Sequence, residues 1–399
     1  MITQVMTAES TRRMPNKNNK ITGIKHLFGV AVLALLMTPA VALGDEIADV
    51  FDQLLSSPDD PALNLRYAEL ALAKGETRKA LSAYERILAH DPNNREARRA
   101  YQKVKIALQP KVTAFTLTTG LTFESNPRQV PGSSTEQDSD VSFDASLLMY
   151  DERSLAGRRW RTLGRAGGHL LAENNDLNDA YVSIATGPVF EISKKTKLHI
   201  APGAAIGVLD GDWLYHDGLV RIALERRNKG NGQSVTTTVK YRDTNSSFKG
   251  DDGLIVQVDG RFLFTSRIKQ GDALYFLPRF QYSEPGGNGP GRVFQSAVFP
   301  GNFIEYGGRV VYYAPVANKR VYLGAGFGIF QRDYDQNVAF GTKNRSDLTL
   351  VPTAHVLVPN IRGSKFDLRL DYQYQSNDSN DALEDYDNHV ISASTVRKF

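Results

Sequence analysis

"KFDLRLDYQYQ", Lys365 to Gln375, places Phe366, Leu368, Leu370, Tyr372 and Tyr374 at every second position, with Asp367, Arg369, Asp371 and Gln373 between them. Side chains alternate faces along a β-strand, so this spacing predicts a strand with one apolar and one charged face. Two architectures accept such a strand. One is a soluble antiparallel sheet with its apolar face on a core. The other is a membrane barrel whose apolar face meets lipid while its polar face lines a lumen.

The remainder of the chain separates these two. From Lys111 to Phe399 the pattern is a succession of β-rich runs, each a dozen or more residues long and bounded by turn residues, the length of a tilted membrane strand. Fourteen are read, at 112–124, 140–151, 158–172, 178–191, 197–208, 212–226, 233–244, 253–268, 272–283, 302–314, 319–332, 346–358, 364–376 and 386–399. "LIVQVDGRFLF" sets Leu254, Val256, Val258, Phe262 and Phe264 against Gln257, Asp259 and Arg261. "VYLGAGFGIF" sets Val321, Leu323, Ala325, Phe327 and Ile329 against Gly324, Gly326 and Gly328, and "VTTTVKYR" sets Val235, Val239 and Tyr241 against Lys240 and Arg242.

Connections after even-numbered strands are short: 152–157, 193–196, 228–232, 269–272, 316–319 and 360–365. Those after odd strands include the long 124–140, 246–253, 283–302 and 333–346, although those near 173–177 and 209–211 are short. One-sided loop length is the habit of an outer-membrane barrel, with short periplasmic turns and longer outside loops. An even strand count also returns both barrel ends to the periplasmic side. Outer-membrane lipids are therefore expected partners, and the charged row of the opening stretch is expected to face the lumen.

Ahead of the strands the chain has two further regions. Residues 1–42 read as an export signal, with bases at Arg12, Arg13, Lys17, Lys20 and Lys25, an apolar run from Leu27 to Met37, and Ala40-Val41-Ala42 as a small-x-small cleavage site. Glu9 is the one acid there, so this region accounts for the formal net charge of +4 and leaves the remainder near neutral. The basic balance thus implies no nucleic-acid partner. Absence of cysteine fits the periplasm without deciding the compartment.

Residues 45–109 have helical periodicity. Pro61 to Asn94 spans the 34 residues of a tetratricopeptide repeat, with Ala68, Gly75, Ala80, Tyr84 and Pro92 at its small, turn, small, aromatic and helix-stopping positions. It departs at Asn64, where a large aromatic is usual, and at Ala71. Flanking segments 46–55 and 95–108 are also expected to be helical. Such a stack either offers a shallow groove to a polypeptide or caps the neighbouring domain. The face bearing Leu65, Glu69 and Leu72 is the candidate partner-binding surface.

A helical-repeat head before a barrel of this size resembles the surface lipoprotein assembly modifier family of Gram-negative outer membranes. "GLTFESNPR" (Gly120 to Arg128) resembles the family's first barrel strand, and "YQYQSNDSNDALEDYDNHVISASTVRKF" (Tyr372 to Phe399) its closing hairpin, through Asn377, Ser379, Asn380, Tyr386, Asn388 and Phe399. The resemblance implies an α+β multidomain chain: signal peptide 1–42, periplasmic head 45–109, and transmembrane β-barrel 111–399. It implies help in moving a secreted or surface-anchored protein across the outer membrane. Exopolysaccharide exporters share the architecture, usually with many more repeats, and a passive porin is a third reading. The terminal Phe399 is the usual handle for barrel assembly machinery, while Arg397 stands where a lipid-facing apolar residue is usual.

Lys240, Asp259, Arg261, Asp367, Arg369 and Asp371 are the candidate lumen-lining residues, able to guide a substrate, bind a plug or merely solvate the wall. "ENNDLNDAY" and "SNDSNDALEDYD" carry oxygen ligands without the spacing of a calcium loop and read as turns. Neither the seven histidines, with His169, His199 and His216 in strands, nor any other residues give a catalytic spacing. No phosphate loop or zinc pattern occurs, so no enzyme activity and no cofactor is expected.

Overall fold

The structure is a computed structural model that describes residues 42–132, 134–135, 137–155, 157–228, 230–245, 252–285, 302–316, 320–337 and 341–399. The export segment up to residue 41, and most of the long connections 246–253 and 283–302, lie outside the described residues.

Four helices come first: α1 (Ala42–Ser56), α2 (Pro61–Ala73), α3 (Thr77–His90) and α4 (Arg95–Leu108). Asp60 caps α2 by accepting the N–H groups of Ala62 and Leu63, and Asn94 caps α4 by accepting that of Ala97. Gly75, at φ +76°, supplies the left-handed residue that turns α2 into α3. Ala68, Ala71, Ala80 and Ala83 are fully buried between the helices, where their small side chains let the backbones approach. Tyr67, Tyr84 and Ile87 fill the space around them. Asn64 is buried too. Its amide donates to the carbonyls of Pro58 (2.7 Å) and Asp60 (2.8 Å), so it fastens the α1–α2 loop in place of the usual aromatic packing.

After the head the chain forms fourteen strands: β1 (Val112–Glu124), β2 (Asp140–Leu155), β3 (Arg158–Leu171), β4 (Asp179–Ser193), β5 (Thr196–Leu209), β6 (Asp212–Asn228) and β7 (Asn231–Thr244), then β8 (Gly253–Thr265), β9 (Ala273–Pro285), β10 (Phe303–Val316), β11 (Val321–Asn337), β12 (Asn344–Val358), β13 (Phe366–Ser379) and β14 (Tyr386–Lys398). Each pairs antiparallel with its sequence neighbours, and β14 pairs with β1 from Thr116↔Lys398 to Glu124↔Val390, closing the barrel. Where the sequence reading put turns or loops at 152–157 and 333–346, β2 continues to Leu155 and β11 to Asn337, with β12 starting at Asn344. These polar extensions stay β-paired beyond the apolar stretch, on β11 with a register shift between Asp333 and Asn337. Arg332 opposite Asp347 and Asp333 opposite Ser346 show this at the β11–β12 rim.

The outer surface is apolar. Leu121, Val182, Ile206, Leu323, Leu370 and Ile391 all stand outward and exposed, while their strand neighbours carry the polar groups to the inside. A closed sheet leaves no backbone edge to satisfy, which is the condition for strands in hydrocarbon. Arg397 also points outward, but its guanidinium lies 5.1 Å from the Phe366 ring and 4.5 Å from that of Phe399. The charge is held between two aromatic faces at the strand end, where a base reaches the interface.

Carboxylates tie the turns. At the far rim from the head, Asp140 accepts backbone N–H groups of Val141, Glu173 and Asn174 and the Asn174 amide. At the head-side rim, Asp272 accepts those of Arg267, Ile268 and Lys269, at 2.7–2.9 Å, and the Tyr312 hydroxyl. Desolvation pushes the Asp272 carboxyl up, but those N–H donors outweigh it and hold it at about 2.

Leu370→Arg, within the apolar belt, costs about 2–4 kcal/mol in urea unfolding of the lipid-reconstituted protein, whereas Gln373→Leu on the inward face costs far less. Asp272→Asn destabilises the barrel at neutral pH. Because the folded-state pKa lies below the ordinary carboxylate value of about 3.9, the wild-type advantage is complete above that value. It disappears as pH falls through about 2. Unfolding midpoints of both proteins from pH 7 downward check the convergence.

Candidate functional site: the lumen and its two mouths

Inward positions on neighbouring strands meet across the register, so charges distant in sequence become partners. On the β2–β6 wall, Glu152 accepts from Arg159 (2.9 Å) and Arg161 (2.8 Å) and from the Tyr150 hydroxyl. Arg161 also reaches Glu225 at 2.8 Å. His199 is buried beside this network, near the Arg161 carbonyl. Asp217 is held by Arg242 at 2.8 Å and Lys240 at 3.3 Å. On the opposite wall Arg279 pairs with Asp259 at 3.0 Å, Arg332 with Glu305, and Arg345 with both Asp347 and Glu384. Buried charges are tolerable when paired in this way.

Two cavities of about 650 and 620 Å³ lie against the β8–β14 wall and share Arg261, Leu277 and Arg309. A third, of about 410 Å³, lies by Glu124, His169, Asp179, Tyr215 and Arg242. Gly324, Gly326 and Gly328 form an inward column on β11 that the side chains of β10 overlie. A Cβ on Gly328 would stand 2.8 Å from Arg309 Cγ, and one on Gly324 would stand 2.7 Å from the Tyr313 ring. The column therefore sets how flat Arg309 and Tyr313 lie against the wall.

The sequence candidates distribute unevenly over this lumen. Asp259, Arg261, Arg369 and Asp371 line the two larger cavities, Asp371 being bonded to His355 at 2.6 Å. Lys240 is committed to Asp217. Asp367, second residue of β13, accepts the Asn360 N–H at 2.9 Å and caps the turn before the strand. In the head, Glu69 and Leu72 are exposed, and Leu65 is half-buried against the helical core. Sequence reading did not single out Arg309, Arg332 or Arg345, whose strands lack a clean alternation of charge.

The "ESN" turn organises the far mouth. Asn126 is fully buried: its N–H donates to Asn388 Oδ1 (3.0 Å), its amide donates to the Val130 and Asp387 carbonyls, and its Oδ1 accepts the Val130 N–H. Asn388 in turn donates to Glu124 at 2.8 Å. Folded back by these bonds, the segment after β1 carries Arg128 and Gln129 to the edge of the 650 Å³ cavity. Arg128 then grips Asp176 with two parallel bonds of 2.7 and 2.8 Å and reaches Asn174 at 3.0 Å, strapping the mouth to the β3–β4 connection.

At the near mouth the head is fixed to the barrel. Arg159 donates to the Pro110 carbonyl at 2.8 Å, Gln109 reaches Glu191, and Lys103 of α4 lies against Gly157 in the β2–β3 turn.

Residues 45–104 match the sequence profile of the tetratricopeptide repeat. The head is a tetratricopeptide-like repeat. No curated protein sequence matches the chain. Among solved structures the barrel resembles outer-membrane channels. A bacterial polysaccharide outer membrane secretin is 9% identical with a TM-score of 0.40, over 72% of this chain and 98% of that one. The outer membrane channel DcaP of Acinetobacter baumannii is 8% identical at TM-score 0.43, over 72% and 97%. A BenF-like porin from Pseudomonas fluorescens Pf-5 is 7% identical at TM-score 0.36, over 73% and all of its length.

The Arg128 strap gives a clean labelling experiment, since the chain has no cysteine. In a Gln129→Cys background, Arg128→Ala raises the rate of maleimide–polyethylene glycol attachment. Asp176→Asn raises it as well, and the double substitution adds little to either one, as for two ends of one interaction.

Proposed function

We propose that this protein is an outer-membrane barrel that assists transfer of one partner protein or lipoprotein to the cell surface. Its head works in the periplasm, and the chain acts by holding and guiding its client, without catalysis. One observation carries the reading: a helical repeat of a class that binds polypeptide is fixed against the mouth of a polar-walled barrel by Arg159, Gln109 and Lys103. The exposed Glu69 and Leu72 of α2 offer the client a mixed apolar and acidic surface. The closing-hairpin resemblance to surface lipoprotein assembly modifiers agrees with this role. Phe399, whose backbone N–H and carbonyl both pair with Phe115, completes the strand expected to engage the barrel assembly machinery.

Deleting the chromosomal copy and comparing surface proteome, surface glycans and small-solute uptake tests the proposal. Loss of a single surface protein is the expected result. Loss of surface polymer instead identifies an exporter, and slower solute uptake with an unchanged surface identifies a passive porin. A chain lacking residues 45–109 whose barrel still assembles should fail to restore the missing surface protein. Full restoration removes the head from the mechanism.

A further inference from the structure

Three lumenal arginines on the β8–β14 wall are already neutralised. Arg279 has Asp259, Arg332 has Glu305, and Arg345 has Asp347 with Glu384. Arg261 and Arg309 differ. Among the described residues neither has a carboxylate within salt-bridge distance, and both border the two larger cavities. Arg309 has only a long bond to the Gln373 side-chain oxygen, 3.4 Å, and the Phe330 ring at 5.7 Å; Arg261 has the Tyr275 ring at 5.4 Å. The nearest acids are taken. Asp259 is held by Arg279 and Gln257, and Asp371 by His355.

The register places the two residues on either side of one strand, β9. Arg309 is paired with Leu277 across β9–β10. The β8–β9 pairing runs through Asp259↔Arg279 and Phe262↔Phe276, which puts Arg261 on the other flank of the same Leu277. Two strand spacings separate their backbones by about 10 Å, within reach of two arginine side chains converging on one small ligand. Gly328 keeps the wall beneath Arg309 free of a side chain that would collide with it. The 620 Å³ cavity adds Arg369 and has Asp371 as its one lining carboxylate, so its formal charge is positive.

We propose that Arg261 and Arg309 form a lumenal binding site for a small multivalent oxyanion, carboxylate or phosphate, at the junction of the two cavities. A planar guanidinium presents paired N–H donors that match either group, and two of them flanking a water-filled space leave a matching ligand as their missing counter-charge. Gln373 and Tyr275 supply the neutral borders of the site. Binding here is independent of whether the protein's client is a polypeptide.

Calorimetric titration of the full-length protein in detergent, with sodium pyrophosphate and separately with sodium citrate, tests the site. Saturable binding of at least one probe is expected, pyrophosphate preference marking a phosphate ligand and citrate preference a carboxylate. Arg261→Gln with Arg309→Gln should weaken it about tenfold or more, the scale of losing charged hydrogen bonds. Gln373→Glu offers Arg309 an internal carboxylate and should weaken binding several-fold without removing any arginine, so it decides the matter if the double variant fails to assemble. Arg158→Gln, outside both cavities, should leave affinity unchanged. Absence of saturable binding for both probes, or affinity unaltered in the folded double variant and in Gln373→Glu, overturns the proposal.

Discussion

A sheet placed in hydrocarbon cannot leave a strand edge open, because each unpaired N–H or carbonyl there costs several kcal/mol. Everything else in this molecule depends on the β1–β14 seam that meets this constraint. The chain secures the seam with groups beyond the ladder itself. Asn388 and Asn126 lock its far end, and the backbone of Phe399 pairs with Phe115 at the near end. Gly120 allows close approach midway, where a Cβ would stand 2.7 Å from the Ala393 carbonyl. The residues that carry the family resemblance in the first strand and last hairpin are largely those that close the barrel. Asn377, Ser379 and Asn380 likewise bond to Thr349, Asp347 and Ser346 across β12–β13. A likeness at these positions therefore speaks first of architecture.

Closure forces inward charges to find partners across strands, and this divides the lumen into two electrostatic regimes. On the β2–β7 wall, ion pairs interlock around Glu152 and Asp217 and bury Glu152, Arg159, Arg161 and Asp217 almost completely. On the opposite wall the pairs stand apart and leave open volume between them. The first arrangement stiffens the wall that receives the head. The second leaves room for solute.

Strand number and the alternation of faces along each strand were legible in the sequence because period two is a local signal: Leu368 and Arg369 declare opposite faces without reference to any other segment. The repeat was legible for a similar reason, since Ala68, Gly75, Ala80 and Tyr84 sit at fixed offsets. What escaped depends on registers that sequence does not display. Arg309 looks ordinary in "YGGRVVYYA" and becomes distinctive only when β9 brings Arg261 to the other side of Leu277. Asp367 continues the charged row perfectly, yet the turn at Asn360 claims it. Leu65 reads as part of an exposed face until α1 packs over the neighbouring core. Asn64 broke the repeat pattern, and its compensation, two hydrogen bonds to a loop, was invisible before the loop had a place.

The fastening of Pro110 by Arg159 has a mechanical side. Arg159 is itself anchored by Glu152, which is shared with Arg161 and through it with Glu225 on β6. A tug on the helices is thereby passed from Pro110 through a chain of charge pairs into β2, β3 and β6. Those strands belong to one hydrogen-bonded sheet, so the load is borne as shear spread along the wall.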